Sequence, residues 1–317
     1  MRQDEVHRKR ELIAVGLNPA WQKTLCFPEF IPGGVNRASS VSLFPAGKGI
    51  NFARAASIWG AKAIVCQFLG GCTGKLVKDG LRNERISHIS VELKSPVRTC
   101  TTCICVKTGE VTELIEPSAE VPSNSVRALK KKILEKIPSC AGIALCGTYP
   151  GGVGADFYAD IASAGRKHGK LVMLDGFKGI EGTLERGISV LKVNRSEFCT
   201  LTGETDIFDA ARTFFSRYDV RFTAITAGPS KAYVFERDGV CEYKIPCCGK
   251  ILNPIGAGDT VSAVLLAELA RGAMPADAFR LALGAGTASC FNLKSADFST
   301  AQARKFSDRI RIVKKRY

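Results

Sequence analysis

Short apolar runs alternate with segments of helical periodicity along most of this chain. The apolar runs predict buried strands at residues 12–15, 63–66, 143–146, 171–174, 190–193 and 222–226. The segments between them predict helices near residues 49–60, 73–84, 123–137, 155–168, 195–202 and 207–217. This alternation favours a doubly wound α/β fold, in which a mainly parallel sheet is flanked by helices.

Two stretches, at about residues 24–44 and 88–116, depart from this rhythm and resemble short alternating strands. We predict that they form a small accessory β-sheet, inserted as a lid or a dimer surface at the ligand end of the α/β body. The sequence shows no internal repeat and no long linker. Residues 1–317 are therefore predicted to form a single domain, with ligands bound at the carboxyl ends of the strands.

The composition favours an intracellular protein of ordinary globular type. Apolar residues make up 45% and charged residues 24% of the 317 positions. No apolar run approaches the roughly 20 residues of a membrane span. Residues 1–11 are charged and lack the apolar core of a secretion signal. We therefore expect a cytoplasmic location and no membrane partner.

The thirteen cysteines are odd in number and lie mostly in apolar or strand-like segments. This distribution favours reduced, buried thiols over a disulfide framework. Cys100 and Cys103 have the spacing of metal ligands, but neither a second such pair nor a nearby histidine accompanies them. No structural metal site is predicted.

The net charge of +15 raises the question of nucleic-acid binding. The basic residues gather near the N-terminus at residues 8–10, on a predicted helix at 127–136 and in the tail at 309–316, without interleaved aromatic residues. This arrangement favours a solvated surface that attracts phosphorylated small molecules, and we expect no nucleic-acid partner.

A glycine-rich turn, Gly256-Ala257-Gly258-Asp259, leads into an apolar helical segment at residues 261–269. Such a turn presents unpaired backbone N–H groups and the positive end of the helix dipole to an anion. A carboxylate inside a phosphate cradle is suited to accept a proton from a hydroxyl that attacks phosphorus. Helix capping would explain Asp259 but not the paired glycines. The turn therefore indicates a kinase.

The order of several motifs resembles the ribokinase-like, or phosphofructokinase B, family of sugar kinases. The resemblance runs to about residue 292 and is carried by Leu17-Asn18-Pro19-Ala20, Ala46-Gly47-Lys48-Gly49-Ile50-Asn51, Asn194-Arg195-Ser196-Glu197, Thr226-Ala227-Gly228-Pro229 and the Gly256–Asp259 turn. It is greatest with the 1-phosphofructokinase and tagatose-6-phosphate kinase branch. It implies ATP- and Mg²⁺-dependent transfer of the γ-phosphoryl group to a hydroxyl of a ketose phosphate, of the fructose 1-phosphate or tagatose 6-phosphate type.

The resemblance also implies roles for individual residues. Asp259 would be the catalytic base, and the amides of Gly256, Ala257 and Gly258 would stabilise charge on the transferred group. The substrate-binding candidates are Gln22, Gly47, Lys48, Asn51 and Arg98. Gln22 stands where the family normally has an aspartate that accepts hydrogen bonds from sugar hydroxyls, whereas Arg98 could bind an existing phosphate group bidentately.

The nucleotide-binding candidates are Lys192, Asn194, Glu197, Thr226, Gly228 and Asn292. The resemblance implies that Glu197 organises Mg²⁺, through water, beside the nucleotide phosphates. A Glu three residues after an Asn also describes a helix cap.

Two alternatives remain open. A kinase of a neutral sugar or nucleoside is disfavoured by Arg98 and favoured by Gln22. A non-catalytic sugar-phosphate-binding protein on the same scaffold is disfavoured by the presence of Asp259, Asn194 and Glu197.

Overall fold

The computed structural model describes residues 11–316, so the basic cluster at residues 8–10 lies outside the described residues. The elements in chain order are β1 Leu12–Val15, β2 Ala20–Phe27, β3 Ser40–Ala46, α1 Lys48–Ile58, β4 Ala63–Gly70, α2 Gly71–Asn83, β5 Ser87–Leu93, β6 Thr99–Cys105, β7 Val111–Ile115, α3 Ser123–Lys136, β8 Gly142–Cys146, α4 Asp156–Lys167, β9 Leu171–Asp175, α5 Glu181–Glu185, β10 Val190–Asn194, α6 Arg195–Thr202, α7 Ile207–Arg217, β11 Phe222–Ala227, β12 Lys231–Glu236, β13 Gly239–Lys244, α8 Ala257–Ala270, α9 Pro275–Ser289, α10 Thr300–Arg309 and β14 Arg311–Lys315.

A ten-stranded sheet forms the centre of the molecule, in the order β14-β13-β12-β11-β10-β9-β8-β1-β4-β5. The strands from β11 to β5 run parallel, and the β12, β13 and β14 edge is antiparallel. The doubly wound α/β fold predicted from the sequence is therefore confirmed.

Helices cover both faces of this sheet. Alternate residues of β1 point into two hydrophobic clusters: Ile13 and Val15 pack with α3, α4, α6 and α7, whereas Leu12 and Ala14 pack with α1, α8, α9 and α10. Strands buried on both faces read as continuous apolar runs, which is why the sequence pattern identified them. The carboxyl ends of the parallel strands then share one edge, where the candidate residues gather.

A separate four-stranded sheet, in the order β3-β2-β6-β7, forms the accessory unit, here called the lid sheet. Its predicted extent requires a correction. Residues 87–93 form β5, which pairs in parallel with β4 at the edge of the large sheet. Only one face of this edge strand packs on the core, through Ile89, Val91 and Leu93, and this gives it an alternating pattern that resembles an accessory strand.

All thirteen cysteines are free thiols, and seven of them are buried. Burial raises the pKa of Cys66 to about 12 and that of Cys140 to about 11. Cys100 and Cys103 lie three positions apart on β6, so their side chains point to opposite faces of the lid sheet. Between residues 11 and 316, no helix combines the length and the apolar character needed to cross a membrane.

Candidate active site

The glycine-rich turn is built as the sequence predicts, at the start of α8. Gly256 has a φ of 84°, a left-handed conformation that favours glycine. A Cβ there would lie 2.8 Å from the Cβ of Ser295. The Ala257 N–H donates to the Pro254 carbonyl at 3.2 Å, so this amide closes the turn. The amides of Gly258 and Asp259 belong to the first helical turn, where N–H groups lack intrahelical acceptors.

Asp259 is buried at this helix start, with only 8% of its surface exposed. Its Oδ2 accepts a hydrogen bond of 2.8 Å from Nδ2 of Asn51 on α1. Burial raises the pKa of Asp259; the nearby positive charge of Lys48 opposes this shift and the negative charge of Asp175 adds to it. A carboxylate whose proton affinity is raised in this way is suited to act as a general base.

Asp175, at the carboxyl end of β9, pairs with two lysines. Its Oδ1 lies 2.6 Å from Nζ of Lys48, and its Oδ2 lies 3.7 Å from Nζ of Lys192. Ser262 of α8 also donates to Oδ2 at 2.5 Å. Burial opposes ionisation, but the two lysines and the serine outweigh it and lower the pKa of Asp175 to about 2. The carboxylate therefore stays charged and holds both ammonium groups in place.

The two lysines lie at the phosphate cradle. A Cβ on Gly258 would lie 2.9 Å from Nζ of Lys192, so this ammonium lies directly against the turn. Burial disfavours the charge of Lys48, but the carboxylates of Asp175, Asp259 and Glu197 outweigh it and raise the pKa of Lys48. The centre thus contains two lysine ammonium groups beside a buried carboxylate, an arrangement that suits a transferring phosphoryl group.

Gly47 links the lid sheet to this centre. It stands between β3 and α1 with a φ of 109°, and a Cβ there would lie 2.8 Å from the Asn18 carbonyl. This tight connection places Lys48 and Asn51 in the first turn of α1, facing Asp175 and Asp259. The structure therefore brings together five candidate residues: Gly47, Lys48, Asn51, Lys192 and Asp259.

A cavity of about 540 Å³ lies at the carboxyl ends of β10 and β11. It is lined by Asn194, Arg195, Ser196, Cys199, Thr205, Thr226, Ala227 and Gly228. Three of the predicted nucleotide-binding residues thus lie on one cavity. Asn292 is not among its lining residues; its amide donates to the Asp297 carbonyl at 2.8 Å in the turn after α9. A role for Asn292 at the nucleotide stays a prediction.

Asn194 and Glu197 form a capping box at the start of α6. The Asn194 N–H donates to Oε2 of Glu197 at 2.8 Å, and the Glu197 N–H donates to Oδ1 of Asn194 at 2.9 Å. Among residues 11–316 there is no cluster of three or more metal-ligating side chains. One carboxylate with a second oxygen to spare fits Mg²⁺ held through water, since this ion keeps several waters and binds few carboxylates.

The lid side of the site contains the remaining candidates. The Nε2 of Gln22 donates to Oγ1 of Thr102 at 2.8 Å and to the Lys23 carbonyl at 3.1 Å. The amide donors of Gln22 are therefore committed within the lid. Arg98 lines a small cleft together with Asn18, Ser95 and Ser118. Its Nε is buried and has no hydrogen-bond partner in the described part of the chain.

Sequence reasoning missed Asp175 and Glu113. Asp175 ends a buried parallel strand, and that position alone could have marked it, because such strand ends carry chemistry in α/β folds. Glu113 lies on β7, opposite Thr102 in the lid sheet. Partial desolvation, together with the charge of Asp259, raises the pKa of Glu113. The lid thus adds a carboxylate, besides Asp175, within electrostatic reach of Asp259.

Comparisons with known proteins identify the family to which the chain belongs. The model of the pfkB family of carbohydrate kinases matches residues 16–301. The chain therefore belongs to the pfkB carbohydrate kinase family, as predicted.

Among its relatives, a tagatose-6-phosphate kinase of Staphylococcus epidermidis is 26% identical over 81% of this chain and 85% of the relative. A 1-phosphofructokinase of Bacillus subtilis is 26% identical over 89% of this chain and 93% of the relative. The fold matches that of phosphofructokinase-2 from Escherichia coli, crystallised with substrates and products, at a TM-score of 0.86 and 23% identity, covering 95% of this chain and 98% of that one.

Proposed function

We propose that this carbohydrate kinase transfers the γ-phosphoryl group of ATP to a hydroxyl of a ketose phosphate, with Asp259 as the base. The observation that carries the proposal is the buried carboxylate of Asp259, which lies at the start of α8 and is held by Asn51. The hydroxyl oxygen attacks the γ-phosphorus, its proton passes to Asp259, and the bond from phosphorus to the β-phosphate oxygen breaks to release ADP.

Charge on the transferred group would be stabilised by fixed donors. The ammonium groups of Lys48 and Lys192 are held by Asp175, and the Gly258 and Asp259 amides point from the first turn of α8. Since these groups are already positioned, little reorganisation accompanies the reaction. Mg²⁺, held by Glu197 through water, would supply further neutralisation of the nucleotide phosphates.

The choice of a phosphorylated acceptor depends on Arg98. Its Nε is buried without a partner among the described residues, and it lines a cleft shared with Asn18 and Ser118. A phosphate group could accept from this guanidinium and replace the missing hydrogen bond. Two relatives at 26% identity, named tagatose-6-phosphate kinase and 1-phosphofructokinase, support the same class of acceptor.

The outer face of the lid sheet is suited to pairing with a second copy of this chain. Leu43 and Leu114 lie in one cross-strand row with Lys23 and Thr101. Val41, Leu43 and Leu114 are each more than half exposed. Covering this face would bury the apolar side chains and hold the lid over the site. Leu43→Lys is expected to shift a dimer to monomer in sedimentation analysis.

A panel of acceptors in an ADP-release assay tests the proposal. Fructose 1-phosphate, tagatose 6-phosphate and fructose 6-phosphate are compared with fructose, ribose and adenosine, each with and without Mg²⁺. The expected result is Mg²⁺-dependent turnover of at least one ketose phosphate well above that of the neutral compounds. Preferred turnover of a neutral compound would support the alternative kinase. Thermal stabilisation by a sugar phosphate without ADP release would indicate a binding protein.

A further inference from the structure

A buried arginine lies directly behind the base. Arg54 of α1 is only 4% exposed, and its five N–H groups are all used. The Nε and one Nη2 hydrogen bind the two oxygens of Glu84, at 2.6 and 3.1 Å, and Nη2 also donates to the Pro45 carbonyl at 2.5 Å. The Nη1 group donates to Oδ1 of Asn51 at 3.1 Å and to the Ser295 carbonyl at 3.0 Å.

These contacts fix the orientation of the Asn51 amide. Its Oδ1 accepts from Nη1 of Arg54 and from Oγ of Ser295, at 3.1 and 3.2 Å. Its Nδ2 is therefore directed at Oδ2 of Asp259, 2.8 Å away. A flipped amide would place its oxygen against the Asp259 carboxylate and its NH₂ group against the guanidinium, and both contacts are repulsive. Arg54 thus selects the one orientation in which Asn51 binds the base.

The same guanidinium also touches the lid. It binds the carbonyl of Pro45 near the end of β3, and its Cζ lies 5.7 Å from the ring centre of Phe44. Its charge is balanced by Glu84, which Lys294 also contacts at 2.9 Å. Because Arg54 is neutralised locally, it acts on Asp259 through orientation rather than through added charge.

We propose that Arg54 is a positioning residue for phosphoryl transfer. It orients Asn51 so that Oδ2 of Asp259 is occupied and Oδ1 of Asp259 is left for the acceptor hydroxyl. It also connects this arrangement to the end of lid strand β3. The proposal rests on the proposed function of Asp259. It extends that function to a residue that touches neither substrate nor nucleotide.

The test measures the protonation of Asp259 and turnover in the full-length protein. The other charged groups near Asp259 are Lys48, Asp175, Lys192 and Glu113, and all of them are unchanged in Arg54→Gln. Since the Asn51 hydrogen bond lowers the pKa of Asp259, its loss is expected to raise that pKa by about one unit. Carboxyl ¹³C NMR titration without substrate measures this shift, with the signal assigned by its disappearance in Asp259→Asn.

In the kinetic arm, the acid limb of kcat/KM should move to higher pH by the same amount. The kcat should fall by about 100-fold, and the KM for ATP should stay unchanged. Ser295→Ala removes only one donor to Asn51 and should shift the pKa of Asp259 in the same direction by about half as much. If Arg54→Gln fails to fold, Ser295→Ala replaces it in the test.

Arg271→Gln is the matched control, because Arg271 also binds a carboxylate and a carbonyl, those of Glu268 and Gly60. It lies at the far end of α8, about 18 Å from Asp259 along the helix. It should lower stability without moving the pKa. An unshifted Asp259 signal in Arg54→Gln and Ser295→Ala, or an equal shift in Arg271→Gln, would overturn the proposal. An NMR shift without turnover on any acceptor would leave the network intact and reject the kinase assignment.

Discussion

The phosphoryl-transfer centre and the lid side of the site differ in how completely the protein satisfies its own polar groups. At the centre, both oxygens of Asp175, both ends of the Asn51 amide and all five N–H groups of Arg54 have partners. On the lid side, Nε of Arg98 and Oγ1 of Thr24 are buried without partners in the described residues. The protein alone positions the groups that are proposed to carry out the reaction, whereas ligands would complete the surroundings of the acceptor.

Within the centre, the pKa values of two buried carboxylates are shifted in opposite directions. Asp175 faces two lysines and a serine, and its pKa is lowered to about 2. Asp259 has one amide donor and shares Lys48 at longer range, so burial dominates and its pKa is raised. The different environments suit different roles: Asp175 stays charged and holds the lysines, and Asp259 is the proposed proton acceptor.

The largest expected effect is that of Asp259→Asn, which removes the base and preserves its shape. We expect kcat to fall by about 10³- to 10⁴-fold, because Asp175, the other buried carboxylate at the centre, is already paired with Lys48 and Lys192. Binding of ATP should be unchanged, as measured by calorimetry. The control Asp277→Asn alters an exposed aspartate in the first turn of α9 and should leave kcat intact. Retained turnover in Asp259→Asn would show that the centre does not depend on this carboxylate.

Asp175→Asn is expected to cost about 3 kcal/mol of unfolding free energy, because it leaves the buried Lys192 without its charged partner. A carboxyl group whose pKa is lowered by folding stabilises the protein above its unfolded pKa of about 3.9 and loses that contribution as pH falls. The folded pKa is about 2, so the difference between wild type and variant should shrink between about pH 4 and pH 2.

Denaturant unfolding at a series of pH values measures this difference. Asp79→Asn, which breaks an exposed pair with Arg82, should change stability by less than about 1 kcal/mol. A difference for Asp175→Asn that does not vary with pH would contradict the ion-pair account.

Arg98→Gln tests the lid side of the site. If Arg98 binds the phosphate of the acceptor, the KM for a sugar phosphate should rise by about 10- to 100-fold, which corresponds to the loss of a charge-assisted hydrogen bond. The KM for ATP should not change. Arg37→Gln, at an exposed position in the loop between β2 and β3, serves as the control. An unaltered KM for the sugar phosphate would mean that the lid side recognises an acceptor without a phosphate.

The sequence predicted the centre better than its surroundings, for a physical reason. Buried parallel strands and a glycine-rich helix start have local signatures, so the sheet and the Gly256–Asp259 turn could be recognised. Asp175 has no motif of its own. Its role becomes visible only because the fold brings Nζ of Lys48, 127 positions away in the sequence, to 2.6 Å from Oδ1 of Asp175. The role of Arg54 likewise depends on partners from three other segments of the chain, which contribute Pro45, Glu84 and Ser295.

Edge strands caused the errors in the predicted fold. The alternating pattern of β5 suggested the lid, although β5 is the outermost strand of the large sheet. An alternating pattern reports that one face of a strand is buried and does not report which sheet the strand joins. The antiparallel strands β12, β13 and β14 were not predicted. Strands β13 and β14 lack the continuous apolar runs of the central strands, whereas residues 232–235 of β12 form a buried apolar run that the prediction overlooked.

Glu113→Gln has the smallest expected effect. It tests whether a charge on the lid side of the site changes the pKa of Asp259 at the centre. Glu113 belongs to the lid strand β7, yet its pKa is raised by partial desolvation and by the charge of Asp259. Repulsion between two carboxylates acts equally on both, so removing the charge of Glu113 should lower the pKa of Asp259. The acid limb of kcat/KM should therefore move to lower pH, by about 0.3 unit, opposite in sign to the shift in Arg54→Gln.

The matched control for this effect is Glu110→Gln, which changes a carboxylate bonded to Thr108 in the turn of the same hairpin. It should leave the acid limb in place. Added salt should reduce the shift caused by Glu113→Gln if solvent separates the two carboxylates. An acid limb that does not move would mean that the lid closes over the base without altering its charge. A shift of the predicted sign would make the lid part of the environment that sets the proton affinity of Asp259.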